Sequence, residues 1–392
     1  MATSSEREIS NGDGIEPVII GGMVLDVHAI PSSAPLSGTT VPGEVLFRPG
    51  GVARNIAECM FKLGTKPFMI STLGLDGPAN VLLKEWTLSM RGILRHGDIG
   101  TPIVSHIYDT NGEVAAGVAN VDAVEKFLTP EWIRRFRHNI SSAPILMVDA
   151  NLSTRALEES CKLAAGFHVP VWFEPVSVTK SRRIASIAKY VTIVSPNEDE
   201  LVAMANALSG EDLFCPIKPE KDKLSPEGIL LAMKPAIRVL LENGIKVVIV
   251  TLGSKGALLC SKGNPKKALN ITRKLRFHGK IFKRIQTVCS PSRFFDAGLD
   301  YSPGFFTMHF PTLPATVLKL SGAGDCLVGG TIASLTDGLD LIQSLAVGIA
   351  TAKAAVESDN NVPHEFGLDR LSDDAKRVLY GTKNLVQQRS ML

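Results

Sequence analysis

The sequence predicts an α/β fold with a mostly parallel central sheet flanked by helices and a small, separate β-sheet. Between residues 144 and 251, apolar β-type runs alternate with helical patterns, which is the rhythm of βαβ units. Residues 101–121 instead follow a period of two around Asn111 and Gly112, a strong hairpin signal. A glycine-rich turn at residues 321–324 opens an apolar helix. We therefore expect one large domain over residues 17–380 that includes a small sheet.

The composition is that of an ordinary globular protein. The 392 residues are 45% hydrophobic and 21% charged, and the net charge of +3 is too small to indicate a nucleic acid partner. The six cysteines form no CxxC pair, so neither a zinc cluster nor a disulfide framework is indicated. The sequence contains no run of 18 uncharged apolar residues, so no membrane span is predicted. The polar residues 1–16 are expected to be disordered.

The first strand leads to a candidate carboxylate. Residues 17–22 form an apolar run that ends in two glycines, and Asp26 follows where it could be held at a strand end over a pocket. The alternative is that Asp26 is a turn residue. Gly50 and Gly51 then open a helix that contains Asn55; the glycines allow a ligand to approach closely, and the carboxamide suits a diol. One face of this helix is apolar, formed by Val52, Ile56, Met60 and Leu63.

The small sheet is predicted from extended segments at about residues 36–48 and 101–121. Thr101 and His106 could face a ligand from it, although a single histidine in a strand is more often structural. In the main sheet, functional residues are expected at the carboxyl ends of the parallel strands. The polar residues that follow those strands include Asp149, Asn151 and Glu174.

The glycine-rich turn is the strongest candidate for chemistry. A β-type run at residues 315–318 precedes it, so the segment is predicted as strand, tight turn and helix N-terminus. Such a terminus attracts anions, and Gly322 and Gly324 would let a phosphoryl group approach the backbone. Asp325 would repel a phosphate but could take the proton from an attacking hydroxyl, which indicates phosphoryl transfer to an alcohol. Helix capping by Asp325 is the alternative.

Two other phosphate-binding motifs are excluded by the sequence. It contains no GxxxxGK[ST] motif. The turn also has Leu327 where a dinucleotide fingerprint would have its third glycine. The candidate chemistry therefore belongs to a different class of phosphate site.

Residues 322–325, Gly-Ala-Gly-Asp, resemble the signature of the ribokinase-like (PfkB) carbohydrate and nucleoside kinases, and the other motifs match that family in order. The resemblance implies a ribokinase-like fold whose small sheet is a lid over the sugar and often serves for homodimerisation. It implies that Asp325 removes the hydroxyl proton, while the turn stabilises the transferring group through the backbone of Gly322, Ala323 and Gly324. It also implies that the sugar is held by Asp26, Gly50, Gly51 and Asn55.

Two further elements resemble the nucleotide site of this family. Asn197 and Glu200 start a helix and match its N-x-x-E element, which implies that they hold Mg²⁺ against the ATP phosphates, largely through water. Complementing the helix dipole is the alternative for these residues. The strand at residues 246–251 runs into T-x-G-x-x-G, which implies ATP-phosphate contacts from Thr251, Gly253 and Gly256.

Within the family, residues 50–57, Gly-Gly-Val-Ala-Arg-Asn-Ile-Ala, are closer to pseudouridine kinases, of the plant type, than to ribokinases or adenosine kinases. This similarity implies transfer of the ATP γ-phosphoryl group to the 5′-hydroxyl of pseudouridine, with Asn151 as a contact for ribose or base. Other readings stay open. The acceptor could be another ribonucleoside or a free sugar, or the chain could be a non-catalytic nucleotide- or RNA-binding protein.

Three segments differ from the family pattern or add to it. Residues 317–320 replace an Asp or Asn and a Thr that help to bind an activating monovalent cation, so K⁺ dependence is open; Lys319 could put its ammonium there. Residues 262–312 read as an insertion, with nine Lys or Arg and no acidic residue between positions 262 and 284. The tail at 381–392 resembles a peroxisomal import signal, with a cytosolic location as the alternative, because it ends in Ser390, Met391 and Leu392.

Overall fold

The computed structural model describes residues 16–34, 38–111, 113–215, 224–263, 265, 280–286 and 305–385. Within these residues the strands form one ten-stranded and one four-stranded sheet. In chain order, strands β1 to β14 span Val18–Ile20, Val24–Pro31, Gly43–Gly50, Phe68–Gly74, Ile93–His96, Ile103–Tyr108, Val114–Asn120, Leu146–Asp149, Val171–Glu174, Ile193–Val194, Val247–Thr251, Ala257–Lys262, Phe305–Phe310 and Lys383–Asn384.

The α-helices of the described residues cover the large sheet or connect its strands. In chain order, helices α1 to α13 span Val52–Lys62, Gly77–Leu83, Asp122–Phe127, Pro130–Arg134, Arg137–Ser142, Thr154–Gly166, Val178–Ser181, Glu198–Ser209, Pro226–Glu242, Lys280–Gln286, Ala323–Thr336, Leu341–Val356 and Leu368–Gly381. None of these helices combines the length and the apolar character needed to cross a bilayer.

The large sheet has the strand order β14-β13-β12-β11-β10-β9-β8-β1-β4-β5. Its strands from β11 to β5 pair in parallel, while β12, β13 and β14 are antiparallel. Helices α1, α11, α12 and α13 contribute to the core on one face, and α3 to α6 with α8 and α9 to the core on the other. Strand β4 is buried along its whole length, as expected for a strand covered on both faces. The predicted α/β architecture is confirmed.

The parallel strands bring distant segments of the chain to one edge. Since parallel strands share one direction, the residues that follow β1, β8, β9, β10 and β11 lie along the same carboxyl edge of the sheet. These segments are residues 21–22, 150–151, 175–177, 195–197 and 252–256. The polar residues that the sequence analysis singled out after each strand are therefore neighbours along one edge.

The small sheet has the order β3-β2-β6-β7 and confirms the predicted second sheet. Strands β2 and β3 pair antiparallel, as do β6 and β7, while β2 and β6 pair in parallel. Strand β2 was not predicted as part of this sheet, and Asp26 lies inside it rather than at a strand end. We call the face that carries Asp26 the inner face and the opposite one the outer face.

One predicted strand is wrong. Residues 315–318 are irregular and largely exposed, with Val317 57% and Leu318 59% accessible. Among the described residues no strand lies beside this segment for pairing. Instead the backbone N–H of Leu318 donates to the carbonyl of Val356, at the end of α12, over 2.8 Å. A preference for β-structure is realised only when a neighbouring strand is available for pairing.

The segment predicted as an insertion, residues 262–312, contains strand β13. This strand pairs with β12 from Lys262↔Phe305 to Ala257↔Phe310, so it is part of the large sheet. Helix α10 also falls within residues 262–312, and most of the other residues of this segment lie outside the described ones. The N-terminal residues expected to be disordered, up to position 15, and the C-terminal tripeptide at 390–392 lie outside them as well.

Candidate active site

The glycine-rich turn enters helix α11 through a left-handed residue. Gly322 is the N-cap, with φ 85° and ψ −10°. A Cβ at this position would lie 2.1 Å from the carbonyl oxygen of Asn361, closer than any real contact. A glycine is needed here for both reasons. The turn is therefore pressed against the loop that follows α12, and the N-terminus of α11 is held in a fixed position.

Asp325 lies in the first turn of α11, in a setting that disfavours its charged form. Burial raises its pKa to about 7, and the negative charges of Asp149 and Asp26 add to this effect. A hydrogen bond acts in the opposite direction, because Nδ2 of Asn55 donates to Oδ2 of Asp325 over 2.7 Å. A carboxylate with a pKa near neutral suits a general base that must take a proton and later release it.

Asn55 connects the start of α1 to this carboxylate. Asn55 is only 4% exposed. Its Nδ2 donates to Asp325, while the buried Oδ1 has no hydrogen-bond partner among the described residues. A buried carbonyl oxygen without a partner is costly, so it indicates a donor that belongs to a ligand. Asn55 thus presents an open acceptor beside the candidate base, which fits a hydroxyl of the phosphoryl acceptor.

Asp26 projects from β2 on the inner face of the small sheet. Gly50 lies against it so closely that a Cβ there would be 2.2 Å from Oδ2 of Asp26. The pKa of Asp26 is raised above its ordinary value by burial. The hydrogen bond from Asn361 and the positive charge of Lys319 oppose this shift in part. The influence of Asp26 on the pKa of Asp325 indicates that the two carboxylates share one site.

Asn361 was missed by the sequence analysis. Its Nδ2 donates to Oδ2 of Asp26 and to the carbonyl of Pro49, each over 3.2 Å, and its Oδ1 accepts from Nζ of Lys319 over 2.6 Å. Its backbone carbonyl lies against Gly322. Asn361 therefore joins the small sheet to the glycine-rich turn. It follows a helix in an ordinary polar loop, and no local sequence signal marks it.

Two further carboxylates lie at the ends of neighbouring strands, Asp149 buried and Glu174 half-buried. Asp149, at the end of β8, accepts from the backbone N–H groups of Gly22 and Asn151, each over 2.9 Å. Glu174, at the end of β9, accepts from the hydroxyl of Ser195. Burial raises the pKa of both; repulsion from neighbouring carboxylates, Asp325 among them, raises that of Glu174 further. The sequence marked both at strand ends but assigned them no role.

Two predicted substrate contacts lie in different settings. Asn151 follows β8 beside Gly22, and its Oδ1 accepts from Nζ of Lys180 over 2.7 Å. The Thr101 hydroxyl donates to Oδ1 of Asp76 over 2.5 Å and accepts from the N–H of Gly74 over 3.0 Å. These bonds anchor the start of α2, and the ligand contact of Thr101 stays a prediction.

The predicted metal-binding pair forms a capping box at the start of α8. The N–H of Glu200 donates to Oδ1 of Asn197, and the N–H of Asn197 donates to Oε2 of Glu200, each over 2.9 Å. Burial raises the pKa of Glu200. Oε1 of Glu200 takes no part in the cap. In the part of the chain that the structure describes, no three His, Cys, Asp or Glu side chains are grouped to hold a metal directly.

The predicted ATP-phosphate loop follows β11. Thr251 is bridged to Asn197, so this loop and the start of α8 are adjacent. Gly253 and Gly256 both have positive φ angles, of 59° and 91°. A Cβ at Gly256 would lie 1.9 Å from the carbonyl oxygen of Phe310, which fixes the loop against β13. The result is a compact backbone turn at the carboxyl edge of the sheet.

Comparison with known proteins agrees with this architecture. The pfkB family carbohydrate kinase model matches residues 17–275 and 296–362. A pseudouridine kinase of Arabidopsis thaliana is 73% identical over 96% of this chain and 100% of its own length. The fold resembles Arabidopsis thaliana ribokinase complexed with ribose and ATP, with a TM-score of 0.68, 16% identity and coverage of 93% of this chain and 99% of that one. It also resembles an E. coli protein described as ribokinase II, in complex with ATP and Mg²⁺, with a TM-score of 0.66, 17% identity and the same coverage. This chain belongs to the pfkB family of carbohydrate kinases.

Proposed function

We propose that this kinase transfers the γ-phosphoryl group of ATP to the 5′-hydroxyl of pseudouridine, with Asp325 as the general base. The observation that carries the mechanism is the pair formed by Asn55 and Asp325: the amide nitrogen donates to the carboxylate, and the amide oxygen is a buried acceptor without a partner in the described part of the chain. A substrate hydroxyl that donates to this acceptor would lie beside the carboxylate. The choice of pseudouridine is supported by the Arabidopsis relative.

The chemistry follows from these positions. Asp325 takes the proton of the 5′-hydroxyl, the oxygen forms a bond to the γ-phosphorus, and the bond from that phosphorus to the β-phosphate bridging oxygen breaks to release ADP. The backbone of Gly322, Ala323 and Gly324 at the start of α11 stabilises the charge on the transferring group. The N–H of Ala323 also donates to the carbonyl of Leu320 over 3.3 Å, so it would be shared with the phosphoryl group. Asp26 orients the sugar through its hydroxyls.

The carboxyl edge of the sheet has a donor set that suits Mg²⁺. Magnesium prefers oxygen ligands and keeps several waters, so it needs only a few outer carboxylate and amide oxygens. Asn197 and Glu200 would hold the ion through water, and the repulsion among nearby carboxylates, Glu174 included, favours a cation at this edge. The bound ion would neutralise negative charge on the ATP phosphates.

The acceptor is tested by measuring ADP release with Mg-ATP and a panel of pseudouridine, uridine, adenosine, ribose and fructose. We expect turnover with pseudouridine to exceed that with every other acceptor. Preference for another nucleoside or a free sugar would keep the kinase chemistry and replace the substrate. An absence of turnover with all five would favour the non-catalytic alternative.

We propose that Lys319 takes the role of a monovalent cation in this chain. Its ammonium donates to Oδ1 of Asn361. Burial lowers the pKa of Lys319, and the negative charge of Asp26 opposes this shift in part. A fixed positive charge beside the loop that contains Asn361 makes a bound K⁺ unnecessary. We expect the wild-type rate to be unchanged by KCl at constant ionic strength, whereas Lys319→Ala should be slower. Strong activation of the wild type by KCl would contradict the proposal.

We propose that the outer face of the small sheet joins two copies of this chain. Four side chains on this face are apolar and exposed across β3, β6 and β7: Val45, Phe47, Ile107 and Val118, at 58%, 56%, 43% and 76%. Such a patch is a candidate interface. We expect Phe47→Asp to convert a dimer into a monomer in light scattering. Leu231→Asp, an equally exposed site on α9, is the matched control, and an unchanged mass for Phe47→Asp would count against the interface.

The compartment is a separate proposal. The tripeptide of Ser390, Met391 and Leu392 supports delivery to peroxisomes. A fluorescent reporter that carries the last ten residues should then collect in punctate peroxisomes. A diffuse cytosolic signal would reject this proposal.

A further inference from the structure

Three ring side chains cluster on the inner face of the small sheet, beyond Asp26. The ring centroids of His28 and Tyr108 are 5.3 Å apart, those of His28 and His106 are 6.0 Å apart, and those of His106 and Tyr108 are 6.3 Å apart. All three side chains are half-buried. Neither the proposed general base, Asp325, nor the proposed sugar contacts involve these three side chains.

The register places this cluster beside the sugar contacts. Side chains alternate between the two faces of a strand, so His28 lies on the same face of β2 as Asp26, and His106 is its direct neighbour on β6. Electrostatics agrees with this position. Burial and the charge of Asp26 raise the pKa of Tyr108. Burial lowers the pKa of His28 to about 4, and the positive charges of Lys319, His106 and Arg48 contribute. His28 is therefore neutral near pH 7, with one donor and one acceptor nitrogen.

The edge strand β7 approaches the rings closely and carries small residues there. Gly117 of β7 pairs with His106, and a Cβ there would lie 3.1 Å from Cδ2 of His106. The register with β6 puts Ala119 on the same inner face as Gly117, while Val118 lies on the outer one. The inner face thus combines aromatic rings on the central strands with small residues at the edge. A flat ring can approach such a surface.

We propose that His28, His106 and Tyr108 form the surface that recognises the base of the nucleoside, a neutral pyrimidine with alternating carbonyl and N–H groups on its edge. This inference rests on the proposed function, since it assigns the part of the acceptor that the sugar contacts leave unaddressed. The rings can stack on the flat base. The neutral imidazole of His28 and the phenol of Tyr108 each have a donor and an acceptor, which matches the edge of a uracil-type ring. A purely structural aromatic cluster within the lid is the competing explanation.

The test compares acceptors that share the ribose and differ in the base. His106→Ala and Tyr108→Ala are measured with pseudouridine, and free ribose is measured as an inhibitor of the same reaction. We expect KM for pseudouridine to rise about 10- to 100-fold with a smaller change in kcat, because base contacts are lost. The inhibition constant of ribose should stay unchanged. Ser105→Ala, on the outer face of the same strand, is the matched control and should leave both constants unchanged.

The outcomes separate this inference from the function on which it rests. An unchanged KM for pseudouridine in both variants would overturn the base surface while leaving the kinase assignment intact. Equal rises in KM for pseudouridine and in the inhibition constant of ribose would also overturn it, because a distorted lid weakens the binding of all acceptors alike. Wild-type turnover of free ribose alone, without any nucleoside, would overturn both. If the wild type prefers uridine, the same comparison is made with uridine. A preference for adenosine would overturn the inference, because a purine lacks the edge that the surface is proposed to recognise.

Discussion

Replacing Asp325 by Asn should lower kcat about 10²- to 10⁴-fold, the range expected when a general base is removed. The amide keeps the shape of the side chain and can still meet Asn55, so KM for both substrates should change little. Steady-state ADP release measures both constants. Asp98→Asn, at a side chain that is 83% exposed, is the matched control and should behave as wild type. Near-normal turnover of Asp325→Asn would remove Asp325 as the base.

The same carboxylate predicts a pH dependence. Its pKa of about 7 means that kcat/KM should fall as the pH drops through about 7, because the protonated form cannot accept the hydroxyl proton. The hydrogen bond from Asn55 lowers this pKa, so Asn55→Ala should move the acid limb to higher pH. A pH–rate profile of both proteins measures the shift. An acid limb near pH 4 in the wild type would contradict the assignment.

The raised pKa also has a consequence for stability. The folded state binds this proton more tightly than the unfolded chain, whose pKa is near 3.8, so the contribution of Asp325 to stability falls as pH rises from 3.8 through about 7. Asp325→Asn removes this half-buried charge, and its melting temperature should exceed that of the wild type most clearly above pH 7. Calorimetry at pH 6 and pH 8 measures the difference. A lower melting temperature at pH 8 would show that the charge is stabilised in the fold.

Replacing Asp26 by Ala should raise KM for the nucleoside about 10²- to 10⁴-fold, since a carboxylate that accepts from two hydroxyls contributes two charge-assisted hydrogen bonds. The general base, Asp325, and the glycine-rich turn remain, so kcat at saturating nucleoside should change less than KM. The change also leaves Nδ2 of Asn361 without one of its two acceptors. Kinetics with varied nucleoside at fixed Mg-ATP measures the effect, with Asp122→Ala on the surface as control. An unchanged KM would mean that the sugar lies elsewhere.

The sequence predicted what local patterns specify. Apolar β-type runs specified the strands β1, β8, β9 and β11, and helical periodicity specified α1 and α11 with the turn before it. The capping residues of α8 were identified as a pair, although their mutual hydrogen bonds were not. These features depend on residues within a few positions of each other. Short-range geometry and side-chain alternation determine them, so they can be read from the chain directly.

The tertiary structure decided what depends on partners that are distant in sequence. Residues 315–318 have β-type composition but no strand of the described residues beside them, and Thr101 has a hydroxyl whose partners are contributed by α2 and β4. Asn361 reaches Asp26 across 335 positions. The pKa of Asp325 depends on burial and on carboxylates from β2 and β8. The sequence by itself determined the family motifs and their order. Only the folded chain determined which groups share a desolvated site, because burial and charge coupling depend on distance in space.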